Sequence, residues 1–181
     1  MLLEANFDIE QVGGTLEWRF SRKDGNGNPI TGKYAGGIYY TVGEEMRVRV
    51  RAGSWHRLKS FKVLDCTLIT IPQIIEIGPN SPTRHATPSP FVDNAHIDVK
   101  GASFNLPGQE FKPSEIQVPI PDYSELALQW GHHMTVGDGV GRWELSMVIT
   151  VLVEMDDGTK HTRVFSFDPE TQVGTGVVPP R

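Results

Sequence analysis

An all-β fold is predicted for this 181-residue chain: a single antiparallel β-sandwich, Greek-key or jelly-roll-like, with a long proline-rich crossing segment. Three observations predict it. Apolar residues recur at every second position in several runs, which is the period of a half-buried strand. An apolar period of 3.6 residues is nowhere sustained. Nineteen glycines and thirteen prolines make up about a sixth of the chain, and such turn chemistry favours many short strands over a helical bundle. With 38% hydrophobic and 22% charged residues, a chain of this length buries a core without disulfides.

The elements follow in order. Residues 15–20 alternate, with Leu16, Trp18 and Phe20 on one side and Glu17 and Arg19 on the other. DGNGNP at 24–29 is a run of breakers and reads as a turn. A strand is expected at 38–42. Residues 45–51 alternate cleanly, Met46, Val48 and Val50 against Arg47, Arg49 and Arg51. Residues 58–71 suit one strand or two, and their apolar phase slips between Val63 and Leu64, which suggests a bulge or a change of sheet. Nine of the prolines lie between Pro72 and Pro121. This segment, 72–121, is expected to cross between two hairpin-rich halves, with short strands such as 96–100 and 115–118. Residues 122–130 fit a helical turn or a strand. The clearest strand places Trp143, Leu145, Met147, Ile149, Val151, Val153 and Met155 at every second position. Asp156-Asp157-Gly158-Thr159 then signals a hairpin, and a return strand carries Arg163, Phe165 and Phe167 on one face. One domain is expected over 1–181, with 174–181 a flexible tail.

Charge and cysteine content narrow the function classes. Lys plus Arg is 17 against 22 Asp plus Glu, a formal net charge of −5, so general nucleic-acid binding is not expected. Cys66 is alone, which excludes an intrachain disulfide or a multi-cysteine metal site. Among Val63, Leu64, Leu68 and Ile69 it reads as a small buried hydrophobe. The N-terminal MLLEANFDIEQVGG has no basic stretch followed by a long apolar run, and no window approaches the roughly 18–20 apolar residues of a bilayer span. A cytoplasmic location without membrane contact is expected. There is no Gly-x-Ser-x-Gly elbow and no phosphate-binding loop. Gly137-Asp138-Gly139-Val140-Gly141 lacks the strand–helix context of a dinucleotide site and reads as a loop bordering a binding surface.

Several side chains are candidates for chemistry. His132 and His133 are adjacent, whereas a mononuclear site in a barrel often uses two histidines one residue apart plus a carboxylate; strand neighbours face opposite ways, so both reach one metal only from a loop. His96 and Glu144 are the candidate companions. The residues alone assign no metal ligands, no cofactor and no catalytic group. Asp24, Asn26 and Asn28 have the early spacing of a calcium loop, but Pro29 and Ala35 stand where Gly and Glu are needed. Arg47, Arg49 and Arg51 form a basic stripe, best explained by acidic partners on neighbouring strands. Trp55 and Trp130 are candidate aromatic platforms for a sugar or partner.

The last third, residues 127–173, resembles the C-terminal part of the AidA/PixA family of bacterial inclusion-body proteins. In that family a long strand leads to a short Asp/Gly turn, and an aromatic-rich strand returns to an aromatic-Asp-Pro motif, here Phe167-Asp168-Pro169. VGEEMRVR at 42–49 is similar to the family's Val-Gly-Asp/Glu lead into an arginine-bearing strand. The resemblance implies a cytoplasmic β-sandwich that is abundant, self-associating or deposited in inclusion bodies. It supplies no catalytic residue.

The leading expectation is therefore a non-enzymatic structural or self-associating protein, a homodimer or higher assembly. The first alternative is a carbohydrate- or small-ligand-binding sandwich with Trp55, Trp130, His132 and His133 at its rim. The second is a cupin-like metal-dependent enzyme using His96, His132 and His133.

Overall fold

The computed structural model describes residues 1–23, 29–30, 37–56, 58–75, 84–116, 122–137, 141–167 and 170–173. The calcium-loop candidate at 24–28, Asp168, Pro169 and the tail 174–181 lie outside them. The strands are β1 (Leu2–Asp8), β2 (Glu17–Lys23), β3 (Pro29–Ile30), β4 (Gly37–Tyr40), β5 (Glu45–Ser54), β6 (Leu58–Pro72), β7 (Ile74–Ile75), β8 (Arg84–His85), β9 (Phe91–Val92), β10 (Ser103–Asn105), β11 (Phe111–Ser114), β12 (Ser124–Trp130), β13 (Met134–Val136), β14 (Gly141–Met155), β15 (Lys160–Phe167) and β16 (Glu170–Val173).

These strands build two main sheets, and the fold is all-β as predicted. The larger sheet runs β11-β12-β5-β1-β2-β3, with β13 joined to β5 and β9 to β13. The second runs β10-β6-β14-β16-β4. β15 pairs with β14 over 147–154, beside the stretch at 141–144 that pairs with β16. A short ribbon joins β7 and β8. The sheets are not purely antiparallel, which corrects one expectation: β1 runs parallel to β5, and β16 to β4. Alternation fixes which face a residue occupies but not the direction of its neighbour. The long excursion from β1 through β4 gives ample chain for a parallel return.

The crossing of 72–121 is also visible among the described residues. β9 lies in the larger sheet, β10 pairs with β6 in the second, and β11 returns to β12 in the larger. Residues 122–130 resolve as a strand. Residues 96–100 do not: Asn94 Oδ1 accepts the backbone N–H groups of His96 and Ile97 at 2.8 and 3.0 Å, and this side-chain turn replaces the strand.

The longest pairing, β6 with β14, carries the bulge that the sequence suggested. Thr150 faces Asp65 and Val151 faces Val63, so Leu64 is left without a partner. Leu64 turns outward and is exposed, while Val63 and Cys66 stay buried. The core lies between the sheets. Trp143, Leu145, Met147, Ile149 and Val151 from β14 meet Leu3, Ala5, Met46, Val48 and Val50 from β1 and β5, all with no exposed surface. Phe7 stacks on Phe165 at 4.5 Å between ring centres. One side is closed by the chain between β1 and β2, where Leu16 N–H donates to Ser166 O and Ser166 N–H to Gly14 O. Arg163 secures this closure by donating to the carbonyls of Ile9 and Gln11. No helix of the described residues is long and apolar enough to cross a membrane.

The basic stripe is accounted for on the outer face of the larger sheet. Register puts Glu4 beside Arg49 and opposite Arg19. Its buried carboxylate pairs with Arg19, and with Arg49 and Arg51 at 3.3 Å each. Arg51 also meets Glu125 at 2.6 Å, Arg49 donates to Gln129, and Arg47 lies 3.8 Å from Glu45. Removing Glu4 leaves a half-buried cluster of cations. Glu4→Ala should therefore cost about 3 kcal/mol in urea unfolding, and Glu4→Gln, which keeps one accepting oxygen of the two, somewhat less.

Candidate metal centre

The site is assembled at the far end of β12 by three turns, each with a local cause. The first turn is a single 3-10 turn at Gly108–Glu110, begun by Pro107. It lies against the bulge in β6, where a Cβ on Gly108 would collide with the carbonyl oxygens of Val63 and Leu64. Glycine is needed here for close approach rather than for an unusual dihedral angle. Glu110 ends this turn and enters β11, whose Phe111 pairs with Trp130. The second turn follows Trp130, and its Gly131 N–H donates to Glu110 O at 3.0 Å. The third is the Asn94 turn. Asn94 Nδ2 donates to His133 O at 3.1 Å, so one side chain both shapes the turn that carries His96 and ties it to the segment that carries His132.

These constraints bring His96, Glu110 and His132 together. One ligand atom from each lies within 4.8 Å of the other two. His132 Nε2 is 3.7 Å from Glu110 Oε2. The imidazoles of His96 and His132 stack at 3.4 Å between centres, with 15° between their planes. The fully buried Trp130 forms the floor. Its Nε1–H donates to Glu110 Oε2 at 2.9 Å, and its ring meets His132 edge-on at 5.3 Å. Glu110 and His132 are half-buried and His96 is exposed. Two imidazoles and a carboxylate suit a borderline divalent cation such as zinc. Tetrahedral ligands at usual zinc distances stand about 3.3 Å apart. The His132–Glu110 pair is near that spacing, and a ligand nitrogen of His96 lies within 4.8 Å of both.

The sequence-derived candidates divide accordingly. His96 and His132 meet, as the metal reading required. His133 does not join them: its Nε2 faces Glu45 at 3.5 Å. Glu144 lies on β14 in the other sheet and takes no part. Trp130 is buried beneath the site and offers no surface platform. Trp55 is 65% exposed, but it follows β5, beside the start of β12, about 20 Å along that strand from His132. The proposed rim of Trp55, Trp130, His132 and His133 therefore does not assemble. The glycine loop is described only at Gly137 and Gly141. Glu110 and Asn94 were missed. Pro107-Gly108 ahead of an acidic residue marks a turn, but nothing in the sequence shows that the turn packs on a bulge 44 residues earlier.

The His96–Glu110–His132 group overturns the leading expectation of a purely structural, non-enzymatic protein. Cys66 is fully buried, and burial pushes its thiol far up in pKa, which fits its reading as an inert hydrophobe.

A second acidic pair lies at the other end of β1. Burial opposes ionisation of Glu10, but hydrogen bonds with Asp8, the Ser54 hydroxyl and His56 outweigh it and hold the carboxyl down at about 2. Ser54 Oγ donates to Glu10 Oε1 at 2.6 Å, and His56 Nδ1 lies 2.8 Å away. Asp8 moves the opposite way, raised by burial and by its hydrogen bond with Glu10.

Comparison with protein-family models, with curated proteins and with solved structures found no match to this chain.

Two outcomes follow. Gly108→Ala should destabilise the fold by about 1–3 kcal/mol through overpacking against β6, and should weaken any ligand held by Glu110, measured by urea unfolding and titration. Glu10, whose folded pKa lies below its ordinary 4.5, contributes stability above that value and loses it as pH falls toward about 2. Glu10→Gln should flatten this part of the acid-unfolding profile.

Proposed function

We propose that the chain is a metal-dependent β-sandwich protein of cupin-like, jelly-roll build, which binds one divalent first-row cation through His96, His132 and Glu110. The observation that carries this reading is the convergence of two imidazoles and one carboxylate over the Trp130 floor. Three protein ligands leave a coordination position for water or substrate, the pattern of catalytic rather than closed structural zinc sites. The exposed side of His96 faces solvent, so that position has an entry path. A cation held there acts as a Lewis acid and lowers the pKa of a bound water. Trp130 orients Glu110 through Oε2, the same oxygen that stands 3.7 Å from His132 Nε2, so the indole holds the carboxylate against the imidazoles.

The test is calorimetric titration of chelator-treated, tag-free protein with zinc chloride, together with the visible spectrum of the cobalt form. One equivalent should bind, and cobalt should show the intense absorption of a low-coordinate site. His96→Ala, His132→Ala and Glu110→Gln should each weaken binding by more than the ~10–100-fold expected for Trp130→Phe, which removes the supporting hydrogen bond and part of the buried ring but no ligand. His133→Ala should bind as the parent does. No stoichiometric binding, or binding indifferent to His96 and His132, would reject the reading.

A further inference from the structure

A second site lies at the opposite end of β12, on the outer face of the larger sheet. A cleft of about 360 Å³ opens between the ends of β1 and β5 and the start of β12, roughly the lower end of the range for small-molecule sites. Trp55 stands at its edge, 65% exposed, with its ring centre 4.9 Å from that of Tyr123. Tyr123 lies flat over β5 because residue 53 is glycine: a Cβ there would occupy the place of the Tyr123 hydroxyl and ring. That hydroxyl donates to Asp8 Oδ2 at 2.7 Å, which fixes the ring. The aromatic pair is thus a held surface, not a stray exposed tryptophan.

The wall beside it is planar and polar. Asn6 and Arg51 face each other across β1 and β5, and Glu125 pairs with Arg51. Asn6 Oδ1, Arg51 Nε and Glu125 Oε2 are buried without a hydrogen-bond partner, as is Arg49 Nε alongside. Buried polar groups are costly when unmet, so each calls for a partner such as ordered water or a ligand hydroxyl. Here they cluster beside an open aromatic face.

We propose that this cleft binds a neutral carbohydrate, with Trp55 stacked on the apolar face of a sugar ring and Asn6, Arg51 and Glu125 meeting its hydroxyls. A pyranose carries an apolar C–H face and a rim of neighbouring hydroxyls. It therefore asks for one open aromatic ring and for planar groups that hydrogen-bond at two points. Both are present at the cleft. Lining carboxylates from Asp8, Glu17 and Glu125 outnumber the single arginine, which disfavours an acidic sugar. The site shares no residue with the metal centre and stands independently of it.

The experiment is calorimetric titration of the intact chain with maltohexaose, cellohexaose, xylohexaose and chitohexaose, and with trigalacturonate as the acidic comparison. At least one should bind with a Kd of about 1 mM or tighter. Trp55→Ala, at an exposed position that leaves the core untouched, should weaken it about tenfold. Asn6→Ala should weaken it as well, and Gly53→Ala should do so by displacing Tyr123. His96→Ala, at the other end of β12, should bind the sugar as the parent does, so failure of the metal reading leaves this result intact. Absence of heat from all four sugars at about 10 mM, binding only of trigalacturonate, or binding unchanged by both Trp55→Ala and Asn6→Ala would overturn the proposal.

Discussion

The pairing of β6 with β14 is the constraint on which the rest of the structure depends. Each strand is 15 residues long, and β14 sends a continuous row from Trp143 to Val153 into the core. Each such side chain, fully buried, contributes about 1.5–3 kcal/mol, so this one strand supplies a large share of the apolar burial. The bulge at Leu64 bends β6 and strengthens the twist of this long pairing locally. The same bulge presents the Val63 and Leu64 carbonyls on which the Gly108 turn rests. A feature of core geometry thereby sets the height of Glu110 above Trp130. The candidate metal centre is built from turns, but its position is inherited from the longest strand pairing of the fold, as precise placement of ligands requires.

The outer face of the larger sheet follows a different logic. Its centre holds Glu4 among three arginines, a buried charge cluster that registers β1 against β5 and β2. Such clusters contribute little net stability, yet a one-residue slip would turn Glu4 into the core and remove it from all three partners. Toward one end of β12 the compensation becomes incomplete. Arg51 and Glu125 satisfy each other on one side only, and Asn6 is left with a spare oxygen. The cleft with Trp55 and Tyr123 begins where the self-sufficient network stops.

The sequence made the strands legible because alternation is a local signal. Met46, Val48 and Val50, the β14 row, the hairpin at Asp156–Thr159 and even the phase slip at Leu64 are read within a few residues, and each stands in the structure. Strand direction was not legible: whether β5 runs with or against β1 depends on a connection of more than thirty residues. The site divides along the same line. His96 and His132 were visible as residue types, but His132 and His133 lie in the turn between β12 and β13, where adjacency alone does not fix their directions. Glu110 was invisible because its role arises from three long-range facts, the bulge in β6, the glycine contact upon it and the indole of Trp130. Trp130 was misread for a related reason. Its neighbours Gly131 and His132 suggest a surface loop, but the strand phase through Leu126 and Leu128 places it inward.

β12 joins the two proposed sites. Its first residues border the Trp55 cleft, and its last, Trp130, is the floor of the metal centre. Between them run only five backbone steps from Glu125 to Trp130, about 17 Å of extended chain. They alternate faces, so Glu125 looks outward to the cleft and Trp130 inward to the core. The sites therefore lie on opposite faces and opposite ends of one strand. That separation is too great for a single sugar ring bridging both. The two sites share a strand but no lining residue, so β12 fixes their spacing while each is held by its own neighbours: Gly53 and Asp8 at one end, the Gly108 turn and Asn94 at the other.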